Sequence, residues 1–147
     1  MRPQPTDVLA FLAKSLPEHA REAQSPYLRK QLAISATLLS MVAQDMDRLV
    51  PRLVEEAAAI RAIFEQAQGL ITDHHLAHEI GGEASLKSDD LHLTALFAEN
   101  DRLRELLIRL HAHVETLDGP EARALDETIW RELARQNERR RTSYLKG

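Results

Sequence analysis

The chain has no cysteine. Disulfides, thiolate-bound metals and a cysteine nucleophile are therefore excluded, and any metal site has to be built from histidine and carboxylate. Glycine (5) and proline (6) are scarce among the 147 residues, too scarce for the turns that an all-β chain of this length needs. Aromatic residues are limited to Phe11, Tyr27, Phe64, Phe97, Trp130 and Tyr144. No apolar run approaches the roughly 18 residues of a membrane span, and no signal-peptide pattern opens the sequence. The expectation is a cytoplasmic protein of bacterial type. The GxSxG, GxGxxG and Walker A patterns are all absent, and with them the common signatures of hydrolase, dinucleotide and nucleotide sites.

What is present describes one globular domain over 1–147: the chain is 44% hydrophobic and 29% charged, too apolar for a disordered segment. The net charge of −4 is an average. Residues 131–147 carry six basic and two acidic side chains, a local +4, which leaves −8 on the rest. A basic end on an acidic body fits either a nucleic-acid or membrane-surface contact or a helix C-terminus, where the helix dipole favours cations. The nucleic-acid signal consists of Arg135, the triplet Arg139, Arg140 and Arg141, and Tyr144. The acidic body argues against broad phosphate contact. The sequence predicts a basic tail over 139–147.

Helical periodicity organises the chain. Thr6 is a candidate cap for a first helix whose face carries Val8, Leu9, Phe11, Leu12 and Leu16, with Pro17 expected to end or kink it. Ser25-Pro26 is a good second start. Leu28, Leu32, Ser35, Leu39, Val42, Met46, Leu49 and Leu53 then alternate spacings of 4 and 3, a heptad seam. Pro51 predicts a kink or a helix junction, after which Ala57, Ile60, Phe64 and Ala67 resume the pattern. Gly81-Gly82 opens a predicted loop over 81–88, and Ser88-Asp89-Asp90 reads as the cap of the next helix. Its seam is Leu93, Leu96, Asn100, Leu103, Leu107, Leu110, Val114 and Leu117. Gly119-Pro120 stops that helix. A last one follows to about Thr142, with Ala122, Leu125, Ile129 and Leu133 as its buried edge, Trp130 beside them, and no apolar face beyond. The fold expected is an all-α, antiparallel up-and-down bundle of four to five helices, and the length of the seams also suits a homodimer.

Two features carry candidate chemistry. His74 and His78 are i, i+4, a spacing that lets two imidazoles reach one metal ion. With Glu79 and a more distant His92 they would form a set suited to zinc, iron or manganese. The alternative is a group of solvated histidines: position 75 is His, so no HExxH exists, and no Glu-x-x-His pair of the di-iron type occurs. His111 and His113 are expected to point outward. Asn100, alone in a leucine row, reads either as a ligand-binding amide or as a register specifier, with Ser35 as a possible counterpart. Neighbouring carboxylates such as Glu55-Glu56 read as solvated surface.

Arg2-Pro3, the amphipathic helix after it, and Leu32-Ala33 with Ala36, Leu39 and Val42 resemble the start of an uncharacterised bacterial helical domain family encoded near acyl-CoA dehydrogenase and aminoglycoside-phosphotransferase-like genes. The likeness covers about the first 50 residues and implies a small accessory protein with no assigned activity. Three functional readings follow: a non-enzymatic accessory or protein-interaction bundle, a His/carboxylate metal- or small-ligand-binding bundle, and a basic-tailed regulator that binds nucleic acid.

Overall fold

Neither Pro17 nor Pro51 ends its helix. The computed structural model describes residues 4–86 and 89–141. In it α1 (Pro5–Glu22) runs through Pro17 and α2 (Pro26–Ala67) runs through Pro51. Each proline removes one backbone donor, and the neighbouring turns keep the helix going. Three further helices follow: α3 (His74–Ser85), α4 (Leu93–Val114) and α5 (Pro120–Arg139). No strand occurs among the described residues, and the expected all-α helical bundle is what forms.

The helix starts follow local chemistry. Pro5 and Pro120 occupy first-turn positions, where their missing N–H costs nothing. Ser25 Oγ accepts from the Leu28 N–H at 3.4 Å, the cap its sequence suggests. Thr6 is already inside α1, and Gln4 precedes the helix. Asp73 caps α3, its carboxylate accepting from the His75 and Leu76 N–H groups at 2.9 and 3.2 Å. Those two donors hold the Asp73 carboxyl below its ordinary pKa. Gly119 precedes α5 with φ 113°, a left-handed conformation that a side chain at this position would strain.

Two expectations about the middle of the chain change. Gly81 and Gly82 are helical, because α3 continues to Ser85. Leu76, Ile80 and Ala84 are buried along one face, and that burial offsets the helix cost of the two glycines. The predicted loop over 81–88 is therefore helical as far as Ser85. Ser88 and Tyr144 lie outside the described residues, as do Met1–Pro3 with Arg2-Pro3 and the end of the predicted tail. Leu93 begins α4, with His92 at the cap position.

Where the sequence predicts one domain, the chain divides into two compact units. The first holds α1 and α2 up to Leu49. Ala20 and Ala36 are its buried apolar residues. Small side chains (Ala10, Ala13, Ala33, Ala36, Ser40 and Ala43) line a groove of about 980 Å³ between α1 and α2. The heptad seam of α2 is left partly outside: Val42 is 52% exposed, Leu28 and Met46 are exposed as well, and Leu32, Leu39 and Leu49 are half-buried.

The second unit, Val50–Arg140, is an up-and-down four-helix bundle made by the end of α2 with α3, α4 and α5. Ion pairs and hydrogen bonds give its directions. Glu79 meets Arg109 while Glu83 meets Arg102, so α3 and α4 are antiparallel. Asp126 meets His111 while Gln136 meets Arg104, so α4 and α5 are antiparallel too. Its core contains Ile60, Phe64, Ile80, Leu103, Leu110 and Ile129, all inaccessible to solvent. From Leu96 to Val114, every apolar seam position read from the sequence of α4 is buried.

Asn100 is buried in the same seam. Its amide nitrogen donates to the Leu53 and Leu96 carbonyls, both at 3.0 Å, so the partner it finds on α2 is the Leu53 carbonyl and not Ser35. Its Oδ1 is buried with no hydrogen-bond partner among the described residues. A buried acceptor without a donor is unfavourable, and both carbonyls belong to helices with ladders of their own. Asn100→Leu is therefore expected to stabilise the fold by about 1 kcal/mol, measured by urea denaturation. A loss of stability would show that the amide bridge outweighs the orphaned oxygen.

Candidate functional site

Polar residues interrupt the core where α2, α4 and α5 meet, and they do so in register with apolar rows. Leu53, Glu56, Ile60 and Ile63 continue the α2 heptad. Ala122, Leu125, Ile129, Glu132 and Gln136 form one such row on α5. Helical geometry carries Glu56, Glu132 and Gln136 inward along with their neighbours, and all three are buried. Glu56 is 0% exposed. The reading of Glu55-Glu56 as solvated surface thus fails for Glu56, and Leu133 does not mark the end of the buried face of α5. Trp130, expected beside that face, is exposed.

A carboxylate inside a core requires partners, and Glu56 has two guanidinium groups. Arg104 Nη2 donates to Glu56 Oε2 at 2.6 Å. Arg140 donates through Nε to Oε1 at 3.2 Å and through Nη2 to Oε2 at 2.7 Å, a bidentate fork. Arg104 Nη2 also lies 3.5 Å from Gln136 Oε1, and the Gln136 amide nitrogen donates to Glu132 Oε1 at 3.4 Å. Glu132 is flanked by Arg135 at 3.5 Å and Arg139 at 3.8 Å, and Arg139 also stands 3.9 Å from Glu55. A second internal pair joins Arg61 of α2 to the buried Glu99 of α4.

Beside this cluster a groove of about 300 Å³ runs between α4 and α5. Arg104, Gln136 and Arg140 form one end and His111 forms the other, with Leu107, Ile129 and Leu133 among the apolar lining. His111 does not point outward as its sequence position suggested. Its Nε2 is 2.8 Å from Asp126 Oδ1, and its ring meets Trp130 edge-on at 5.1 Å. His113 Nε2 accepts from the Thr72 N–H at 3.3 Å.

The histidines singled out for metal binding are dispersed. His74 and His78 are exposed on α3. Glu79 is engaged by Arg109 at 2.6 and 3.0 Å, and that guanidinium holds the Glu79 carboxyl below its ordinary pKa. Exposed His92 is paired to Asp90 at 2.6 Å. The His92 N–H and ring hold the Asp90 carboxyl low in the same way. Among the described residues no group of three His, Cys, Asp or Glu side chains is placed to hold a metal ion.

The basic end is likewise committed in part. Arg139 and Arg140 face carboxylates of α2 and α5, and Arg141 lies just past the helix. No described helix is long and apolar enough to cross a membrane. No protein-family model, curated protein or solved structure matches the chain.

The clue to the cluster was present in the sequence. Polar residues that fall on the 3-4 beat of an apolar row are candidates for internal pairing. Glu56, Glu132 and Gln136 each do so.

Proposed function

We propose that the protein is a non-enzymatic interaction bundle that pairs with a second copy of itself along the N-terminal half of α2. The observation that carries this reading is the heptad seam from Leu28 to Leu49, exposed at Leu28, Val42 and Met46 and only half-buried at Leu32, Leu39 and Leu49. Its 22 residues span about 33 Å of helix, and the small-residue face of α2, not this one, borders the groove with α1. Leu38 and Ile34 extend the apolar surface on one flank. Monomeric proteins rarely leave a contiguous apolar strip of this size open to water.

The seam suits its own kind. Apolar residues repeating every 3.5 positions pack as knobs into the holes of another helix with the same repeat. A second copy supplies an identical helix through a two-fold, isologous contact. Ser35 is the only polar residue in the row, and its small side chain permits close approach at one level. Side chains from a strip three heptads long, with its flank, come within reach of the roughly 800 Å² per partner of a standard interface.

Light scattering coupled to size exclusion tests the proposal. At about 100 µM the full chain is expected at twice its 16.6 kDa mass. Leu28→Glu/Val42→Glu is expected to run as a monomer with unchanged helicity, because both side chains are already exposed. A wild-type monomer, or a double variant that stays dimeric, would overturn it.

A further inference from the structure

We infer that the groove between α4 and α5 is a binding site for a small carboxylic acid with an apolar tail. The inference does not depend on self-association through α2, since every lining residue lies in the Val50–Arg140 unit.

Charge points to an anion. Glu56 supplies one negative charge between the two guanidinium groups of Arg104 and Arg140, which leaves one positive charge in excess at the polar end of the groove. Gln136 adds no charge, and Glu132 is shared with Arg135 and Arg139. Donors remain as well. Arg104 donates only through Nη2 among the described residues, and its side chain is half-buried rather than enclosed. The Arg140 Nε/Nη2 edge is taken by Glu56, but its Nη1 donates to no described residue and the side chain is 41% exposed. A planar carboxylate is the anion that a guanidinium fork grips in two-point fashion.

The remaining surface selects the tail. Leu107, Ile108, Ile129 and Leu133 offer aliphatic contact over the stretch between Arg104 and His111. The volume of about 300 Å³ sits at the lower end of small-molecule sites, so it admits one short chain or ring and excludes a nucleotide. A few positioned polar groups at one end of an otherwise apolar groove is the usual composition of such a site. Phosphorylated ligands are disfavoured, because the buried Glu56 carboxylate offsets half of the local positive charge.

The test uses octanoate and 1-octanol, which share a tail and differ in the charged head. Both are titrated into the isotopically labelled full chain and followed by NMR. Octanoate is expected to bind with Kd on the order of 0.1–1 mM, with shifts centred on Ile108, Leu133 and Arg140, and octanol at least 10-fold more weakly. Arg140→Gln is expected to weaken octanoate about 10-fold and leave octanol unchanged. Ile108→Glu, at a side chain already largely exposed and so compatible with folding, is expected to abolish octanoate binding by placing a like charge in the groove. Equal affinity for acid and alcohol overturns the inference. So do octanoate shifts confined to the α2 seam, or octanoate affinity unaffected by both variants.

Discussion

Arg104→Leu/Arg140→Leu is expected to lose about 3–5 kcal/mol of unfolding free energy, far more than the sum of its parts. Glu56 is the reason. Its carboxylate is fully enclosed by α2, α4 and α5, so removing both cations leaves a charge with neither water nor a partner. Either single variant leaves one guanidinium on the carboxylate and should cost only about 0.5–1 kcal/mol. Part of each arginine is exposed, and solvent screening reduces what either pair is worth alone. The triple variant that adds Glu56→Leu is expected to regain most of the loss, because an apolar side chain needs no partner there. Urea denaturation of the unmodified protein and the four variants gives the comparison. If the double loss equals two small single losses, Glu56 reaches water on its own, and the cluster is not the internal staple described above.

Much of this bundle is written in the 3-4 spacing of its apolar residues, and the departures have physical reasons. The α4 row from Leu96 to Val114 is buried as its sequence indicates, because it faces other helices on the core side. The row on α2 from Leu28 to Leu49 has the same spacing, yet none of its apolar positions is fully buried and Leu28, Val42 and Met46 are exposed. Periodicity tells which face of a helix is apolar, but not what covers it. Gly81 and Gly82 look like a loop by local propensity, yet Ile80 and Ala84 on either side are anchored in the core and hold them helical. The polar cluster was the least visible part. Glu56, Glu132 and Gln136 appear solvated when judged by residue type. They are buried because helix phase, not polarity, decides where a side chain points. The pairing of Glu56 with Arg104 and Arg140, 48 and 84 residues away, depends on the tertiary arrangement, and no local pattern encodes it. His74 and His78 show the converse: i, i+4 spacing puts two imidazoles on one face, but a site also needs a third ligand from elsewhere, and α3 presents that face to solvent.

Two phenylalanines separate the two units energetically. Phe64 is 0% exposed among Ile60, Leu103 and Leu110, whereas Phe11 is 69% exposed on α1. Phe64→Ala deletes a ring that the close-packed bundle cannot refill, which costs about 3–5 kcal/mol in lost transfer energy and cavity. Against a total of about 5–15 kcal/mol, that is enough to lower the melting temperature by roughly 20 °C in a unit of this size. Phe11→Ala removes a ring already largely in water and should stay within about 0.5 kcal/mol. Thermal melts followed by circular dichroism distinguish the two. A similar large loss from Phe11→Ala would mean that the ring of α1 is enclosed in solution, and the apolar surface of the first unit would then be core rather than contact surface. A loss confined to Phe64 places the stability of the chain in the Val50–Arg140 unit and leaves the exposed seam of α2 free to serve association.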